Sequence, residues 1–193
     1  MDEKALVRRC CAGAPGARQE MYETYAGRVL AVCRRYIRDA DLARDLVHDT
    51  FLKAWDSLDG FRPRRAGSLG AWLSQIAAHL AVDELRSRKP LALLDDSLPE
   101  DGPDPSFAGL TGESPVDTEA LRTVPVEELI DLIASLPEGY RVVFNLFCLD
   151  GSSHREIARL LGISEKTSQT QYLKARRKLA ALIAAKYGKD EKD

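Results

Sequence analysis

The sequence has no long apolar run. No stretch approaches the roughly 20 consecutive apolar residues that span a bilayer. The first residues, MDEKALVRRCCAG, are charged and polar where a secretion signal has an apolar segment. We therefore expect a chain that stays in the cytoplasm.

Side chains that carry catalysis or hold metals are few and scattered. The chain has three histidines and four cysteines, at His48, His79, His154, Cys10, Cys11, Cys33 and Cys148. None of the cysteines has the paired C-x-x-C spacing of a zinc site, and no glycine-rich phosphate loop or nucleophile motif occurs. We expect no catalysis, no metal and no cofactor. Because a chain terminus is often exposed, Cys10 and Cys11 are the candidates for any redox role.

One weak metal pattern leaves an enzyme or a metal carrier open as a hypothesis. Asp45-x-x-His48 would place a carboxylate and an imidazole one helical turn apart, which resembles half of a metal site in a helix bundle. A working site needs more ligands, and the sequence contains no second such pair. Metal analysis of the purified protein would decide the point.

Charge is distributed unevenly along the chain. Residues 1–89 carry 16 basic and 12 acidic side chains, residues 90–139 carry 1 and 12, and residues 140–193 carry 11 and 6. Two basic ends therefore flank an acidic middle. This pattern indicates two surfaces that tolerate polyanions, although ordinary solvated helix faces would also explain either basic cluster.

Helical periodicity dominates the first half. Apolar residues recur at helical spacing between residues 18 and 38, and a second helix begins near Asp39 or Asp41, either of which can cap it, and runs to Gly60. The stretch FRPRRAGSLG is typical of a basic loop, and a third helix starts near Ser68 and ends among basic residues that suit its C-terminal dipole.

Residues 90–125 have the composition of a flexible acidic linker. They contain six of the nine prolines and eight acidic residues against the single Arg122. Helical periodicity then resumes at Val126 and continues to about residue 186, and period-two alternation occurs nowhere. The sequence predicts an all-α fold of two small helical bundles, in residues 1–89 and 126–193, joined by the linker 90–125.

The most informative stretch is GSSHREIARLLGISEKTSQTQYLKARRKLAALI, which has the layout of a helix-turn-helix. Gly162 can end the first helix in the left-handed conformation, and Ser164 can cap the second. Ser168 starts the apolar face of that second helix, whereas its other faces display amides and cations that suit the major groove and the phosphates. The predicted DNA-binding set of this bundle is Ser153, Arg155, Lys166, Thr167, Gln169, Thr170, Gln171, Lys174, Arg176, Arg177 and Lys178.

The first bundle carries two further patterns. Asp41, Asp45 and Asp49 recur at steps of four and form an acidic stripe that a basic partner could meet, although a solvated face explains it as well. Phe61 and Trp72 flank the arginines of the basic loop, a combination that holds unstacked single-stranded bases.

Three blocks of the sequence resemble the extracytoplasmic-function group of bacterial RNA polymerase sigma factors. They are DADLARDLVHDTFLKAWDSLDGF, GSLGAWLSQIAAHLAVDELRSRK and LPEGYRVVFNLFCLDGSSHREIARLLGISEKTSQTQYLKARRKL, and the resemblance covers nearly the whole chain. It implies region 2 in residues 1–89 and region 4 in residues 126–193. The implied partners are promoter DNA, core RNA polymerase and an inhibitory anti-sigma factor.

The resemblance also implies roles for individual residues. The acidic helix of region 2 would dock on the clamp helices of the polymerase beta-prime subunit through Asp45, Leu46, Val47, His48 and Asp49, with Phe51 and Trp55 supporting it from the core. The loop and helix that follow would open the promoter and capture a flipped base of the minus-ten element. The residues of this second site would be Arg62, Arg64, Arg65, Ser68, Trp72, Gln75, His79, Arg86 and Arg88. Region 4 would read the minus-thirty-five element and contact the polymerase flap.

Three positions depart from the family pattern. His79 stands where an asparagine is common, Ser168 replaces a branched apolar residue, and Gln169 and Gln171 replace commoner cations. The departures leave the class intact and the promoter sequence open. The competing hypothesis is a helix-turn-helix regulator that binds an operator without polymerase, with the first half of the chain sensing a signal.

Overall fold

The computed structural model describes residues 2–62, 67–88 and 124–187, and these residues form helices and short connections without a strand. The α-helices are α1 (Glu3–Cys11), α2 (Ala17–Tyr36), α3 (Ala40–Ser57), α4 (Ser68–Arg88), α5 (Val126–Ser135), α6 (Glu138–Phe144), α7 (His154–Leu161) and α8 (Glu165–Tyr187). The chain divides into two compact units, Met1–Pro90 and Leu91–Asp193. The prediction of an all-α protein with two bundles is confirmed.

In the first unit, α2, α3 and α4 pack against one another and α1 packs against α2. Helix α3 begins as predicted, because the Asp39 carboxylate accepts hydrogen bonds from the backbone N–H groups of Asp41 at 3.0 Å and Leu42 at 3.1 Å. A short 3-10 turn, Leu58–Gly60, ends it. Helix α1 was not predicted, although Asp2 caps it in the same way by accepting from the N–H groups of Lys4 and Ala5.

Large side chains at helical spacing fill the core of this unit. Met21, Tyr36, Phe51, Leu69 and Leu73 are almost completely buried, and they come from α2, α3 and α4. Burial of this kind is the main source of stability for a small helical domain.

At Gly70 the helices α2 and α4 approach closely. A Cβ atom at this position would lie 3.0 Å from the Arg28 guanidinium and 3.2 Å from the Tyr25 ring. A larger residue here would require the Arg28 side chain and the Tyr25 ring to shift.

In the second unit, α5, α6 and α7 pack against the long helix α8. The core includes Leu136, Phe144, Ala175 and Leu179. The buried Arg141 donates to the carbonyl of Ala134 at 3.0 Å, so a cation satisfies the C-terminal end of α5. A π-helical turn, Asn145–Leu149, continues α6.

The helix-turn-helix is formed by α7 and α8. Ser153 and Glu156 make a reciprocal capping box at the start of α7, and Gly162 ends α7 in the left-handed conformation at φ 71°. The Ser164 hydroxyl accepts from the Thr167 N–H at 2.9 Å and so caps α8. Both roles were predicted from the sequence.

Several predictions fall on residues that the structure does not describe. These are Arg64 and Arg65 of the basic loop and all of the predicted linker 90–125 except Val124 and Pro125. Val124 is buried in the core of the second unit and therefore packs as part of it. Among the residues that are described, no helix combines the length and the apolar character needed to cross a membrane.

Candidate polymerase and nucleic-acid interface

The exposed face of α3 carries the predicted acidic stripe. Asp41, Asp45 and Asp49 are exposed, as is His48, whose ring stacks on Tyr22 of α2 with centroids 5.8 Å apart. This face thus presents carboxylates around an imidazole ring that α2 supports.

Leu46 and Val47, which were predicted to contact polymerase, lie inside the bundle. Each is only 4% exposed, because both lie on the same face of α3 as the buried residues Ala43 and Thr50. They can hold the helix in place but cannot meet a partner directly. Only the exposed side chains of α3 are accessible to a partner.

Sequence reasoning missed Leu52, which lies on the same face of α3 as Asp45 and Asp49 and is 57% exposed. The sequence does indicate that Leu52 is exposed, because this residue does not follow the helical spacing of the buried residues of α3. An exposed leucine surrounded by carboxylates is the kind of apolar anchor, within a polar rim, that protein interfaces use.

Five of the six predicted minus-ten residues of α4 share one face, whereas helical spacing places Arg88 on the opposite side of the helix. Ser68, Trp72, Gln75, His79 and Arg86 follow each other at helical spacing on the side opposite the buried residues of α4, along about 27 Å of helix. Gln75, His79 and Arg86 are exposed, and Ser68 and Trp72 are half-buried. The helix thus aligns on one face residues that the sequence separates by up to 18 positions.

The two aromatic rings that flank the basic loop lie against each other. Phe61 and Trp72 stack with centroids 4.7 Å apart and an interplanar angle of 25°. Arg62 donates hydrogen bonds to the backbone carbonyls of Asp59 and Phe61. The stack therefore joins Phe61 to α4. A nucleobase could stack only on the ring faces that Phe61 and Trp72 leave open.

Arg86 and Arg88 are exposed and each has an acidic neighbour on its own helix. Arg86 lies 3.9 Å from Asp83, and the Arg88 Nε lies 2.5 Å from Glu84. Exposed pairs of this kind contribute little stability, so a phosphate can replace the carboxylate at small cost.

The outer face of α8 carries most of the cations predicted to bind DNA. Lys166, Gln169, Arg177 and Lys178 are exposed, and the Arg176 guanidinium lies over the Tyr172 ring at 5.6 Å from its centroid. The rest of the predicted set lies beside them: Ser153 and Arg155 are exposed at the start of α7, and Thr167, Thr170 and Lys174 are partly exposed. The Ser153 hydroxyl already caps α7, and the Thr167 N–H already donates to the capping Ser164 hydroxyl.

Gln171 does not lie on the outer face of α8, and that prediction is wrong. The residue is 5% exposed. It follows Ser168 by three positions and precedes Ala175 by four, and both of these neighbours are completely buried, so helical geometry places all three on the inner face. Gln171 therefore supports the packing of α8, and Gln169 remains as the exposed amide.

Ser168 is completely buried, and its hydroxyl has a partner. The His154 Nδ1 and the Ser168 Oγ lie 2.9 Å apart, which joins the first helix of the motif to the second. The His154 ring also stacks on Phe147, with centroids 4.2 Å apart. Burial lowers the pKa of His154 below its usual value, so the ring is neutral at pH 7.

All four cysteines are free thiols, and none has the lowered pKa that is typical of a reactive thiol. Cys10 and Cys33 are buried, whereas Cys11 and Cys148 are exposed. Loss of hydration raises the pKa of all four thiols, that of Cys33 to about 11. Reactive cysteines usually have lowered pKa values. Within the described ranges, no group of three or more histidine, cysteine, aspartate or glutamate side chains could hold a metal ion.

Comparison with known families assigns both halves of the chain. Residues 21–90 match sigma-70 region 2, and residues 126–179 match sigma-70 region 4. The chain belongs to the sigma-70 family of RNA polymerase sigma factors. The region 2 match includes α3 and α4, and the region 4 match includes the helix-turn-helix.

Individual relatives place this sigma factor in the extracytoplasmic-function group. It is similar to the ECF sigma factors SigM and SigW of Bacillus subtilis, at 25% identity to each, over 84% of this chain and 93% of SigM and over 91% of this chain and 94% of SigW. It is also 28% identical to the ECF sigma-E factor of Escherichia coli, over 91% of both chains.

Two solved structures are also similar to this sigma factor. CnrH, solved in complex with the cytosolic domain of CnrY, is 26% identical and has a TM-score of 0.49, with 95% of this chain and 97% of CnrH covered. The sigma factor RpoE of Bartonella quintana, solved in complex with the anti-sigma factor NepR, is 21% identical and has the same TM-score, with 87% and 97% covered.

The presence of region 2 favours the sigma factor over a conventional operator-binding regulator. A regulator of that kind would need a signal-sensing domain in the first half of the chain, where this protein has region 2. Sigma factors are non-enzymatic initiation factors.

Proposed function

We propose that this sigma factor binds core RNA polymerase and directs it to specific promoters, and that it does so by binding alone, without catalysis, in the bacterial cytoplasm. The observation that carries the proposal is that regions 2 and 4 occur in one chain, each with an exposed polar face that suits its partner. We assign region 2 function to residues 1–89, region 4 function to residues 126–193, and the tether between them to the acidic residues 90–125.

Polymerase docks on the exposed face of α3. Asp45, His48 and Asp49 face the clamp helices of the beta-prime subunit, and the exposed Leu52 supplies an apolar anchor among them. Carboxylates on a rim steer a basic partner and set its orientation, whereas the central apolar side chain contributes more of the affinity. Leu46 and Val47 hold α3 from inside.

The minus-ten element contacts the loop 61–67 and the exposed stripe of α4. The aromatic face of Trp72 left open by Phe61 offers a stacking surface for an unpaired base, and Gln75 and His79 offer polar contacts along the same strand. Arg86 and Arg88 meet phosphates towards the end of α4. Arg62, Arg64 and Arg65 contribute positive charge in the loop.

The minus-thirty-five element contacts α8 through the major groove. Gln169 is an exposed amide in the second turn of the helix, where a two-pronged contact to adenine is geometrically accessible. Lys166, Lys174, Arg177 and Lys178 meet the phosphate backbone.

Region 4 also needs a surface for the polymerase beta flap. Ile130 on α5 and Leu149 after α6 are each 45% exposed, and both lie in the second unit. Exposed apolar side chains can contribute to the core of a protein interface. An anti-sigma factor would inhibit this protein by covering the α3 face or these apolar side chains, in competition with polymerase.

Run-off transcription with purified core polymerase tests the proposal. The chain should give defined transcripts with start sites downstream of a common pair of promoter elements. Core polymerase alone should give none, and the chain alone should bind the same duplex poorly. A chain that protects a defined operator without polymerase would refute the proposal in favour of a conventional regulator.

A further inference from the structure

Helix α1 lies before the residues that match region 2, and one of its side chains reaches the start of α4. The Glu3 Oε2 accepts a hydrogen bond from the backbone N–H of Leu69 at 3.3 Å and from the Ser68 hydroxyl at 3.4 Å. These residues are 65 and 66 positions away in the sequence.

The start of α4 needs a cap from elsewhere because it cannot cap itself. Gly67 occupies the N-cap position, since its carbonyl accepts from the Ala71 N–H at 3.1 Å. Gly67 has no side chain, and at φ 81° its backbone is in the left-handed region that favours glycine. The carboxylate of Glu3 therefore takes the role that a serine or aspartate at the N-cap usually has, and its charge suits the helix dipole.

A second contact fixes the orientation of this carboxylate. The Tyr25 hydroxyl of α2 donates to the Glu3 Oε1 at 3.0 Å, so each carboxylate oxygen has its own donor. Burial, together with the neighbouring Glu3, raises the pKa of Tyr25 to about 12, and the phenol therefore remains a donor at every physiological pH.

The first two turns of α4 are thus held from two directions. Phe61 stacks on Trp72, and Glu3 accepts hydrogen bonds from the first turn. We propose that Glu3 is a positioning residue for minus-ten recognition, which sets the first turn of α4 so that the exposed face of this helix can capture an unpaired promoter strand. The inference rests on the proposed function.

The test uses holoenzyme assembled from core polymerase and the full chain. The probe is a single-stranded oligonucleotide that carries the minus-ten sequence of a promoter mapped by run-off transcription. Glu3→Ala removes the charge and both acceptor oxygens. Tyr25→Phe removes only the donor that orients Glu3. The matched control is Glu23→Ala, because Glu23 is an exposed glutamate on α2 whose carboxylate accepts from Gln19.

We expect Glu3→Ala to weaken binding of the oligonucleotide by roughly five-fold, in line with the loss of one helix cap. Tyr25→Phe should weaken it less, and Glu23→Ala should leave it unchanged. The affinity of all three variants for core polymerase should equal that of the wild type, because α3 carries the docking face.

Two results would overturn the inference. One is unchanged oligonucleotide binding by Glu3→Ala. The other is a parallel loss of oligonucleotide and core polymerase binding, which would make Glu3 a general support of the bundle. A different result tests the proposed function itself: if wild-type holoenzyme binds a scrambled oligonucleotide as tightly as the minus-ten sequence, promoter recognition by region 2 fails, and the role of Glu3 fails with it.

Discussion

At the scale of single residues, the buried contact between His154 and Ser168 explains how an unusual serine is tolerated in the helix-turn-helix. A buried hydroxyl without a partner costs stability, whereas this one is joined to an imidazole that is itself stacked on Phe147. The pair connects α7 to α8, so the orientation of the DNA-binding helix depends on a polar contact.

This contact predicts a pH dependence. Burial lowers the pKa of His154 in the folded state, with Glu165 nearby acting in the opposite direction. The contribution to stability is therefore complete above the unfolded pKa of about 6.5 and is lost as the pH falls towards the lowered folded value. Thermal melting of the second unit, followed between pH 8 and pH 5, should show this loss. His154→Gln, which can still bond to Ser168 but does not titrate, should lose less stability over that range. An equal slope in both proteins would contradict the assignment.

Gln169 and Gln171 should have separate effects although only one residue lies between them. Gln169 is exposed on α8, so Gln169→Ala should relax base preference at one position of the minus-thirty-five element and leave the melting temperature unchanged. Gln171 is buried, so Gln171→Ala should lower the melting temperature and weaken binding to all sequences alike. Binding to a panel of duplexes with single base-pair changes, combined with calorimetry, would distinguish the two. A change in base preference for Gln171→Ala would contradict its burial.

At the scale of helices, α3 has an inner and an outer face with different functions. Leu52→Ala should weaken binding to core polymerase by about ten-fold, or roughly 1.4 kcal/mol, without loss of stability, because the side chain is 57% exposed. Leu46→Ala should instead destabilise the first unit by roughly 2–5 kcal/mol, because its side chain is almost completely buried. Fluorescence titration with core polymerase and denaturant unfolding measure the two quantities. A loss of stability in Leu52→Ala equal to that in Leu46→Ala would contradict the division of faces.

The cations of α8 should contribute without regard to sequence. Arg177→Ala should weaken holoenzyme binding to every promoter variant by a similar factor and should reduce the slope of log affinity against log salt by about 1. Arg159→Ala is the matched control, because Arg159 is an exposed cation on α7 outside the predicted DNA-binding set. Filter binding across a range of salt concentrations gives both slopes. An unchanged slope for Arg177→Ala would show that this side chain does not neutralise a phosphate.

At the scale of the whole molecule, the acidic stretch 90–125 separates the two domains. A chain of carboxylates can occupy a basic channel that otherwise receives nucleic acid. Replacing its eight acidic residues with serine should lower the ratio of short abortive transcripts to full-length RNA, because a neutral tether is more easily displaced by the growing RNA. A variant with the same residues in permuted order is the control. Equal ratios in all three proteins would contradict this role.

Much of the fold was predictable from local patterns. The N-cap of α3 at Asp39, the left-handed Gly162 and the cap of α8 at Ser164 depend on side chains next to the backbone groups that they satisfy, so the sequence alone indicates them. Helix α1 was missed because it is short and its apolar residues, Leu6, Val7 and Cys10, are too few to establish a period.

The site was predictable only in part. Helical spacing indicates the acidic face of α3, and the same spacing indicates that Leu52 is exposed and Gln171 is buried, whereas the residues of α4 were identified only through the family resemblance. Leu46, Val47 and Gln171 are buried, whereas Leu52 is exposed, and composition gives no indication of this difference.

The sequence by itself determined the class of the protein, because family motifs, helical periods and caps are local and are repeated in order along the chain. Only the tertiary structure decided which side chain reaches which partner. The cap that Glu3 provides for α4 and the bond between His154 and Ser168 join residues on different helices. Contacts of this kind depend on how helices pack in three dimensions, and no spacing along the chain encodes that packing.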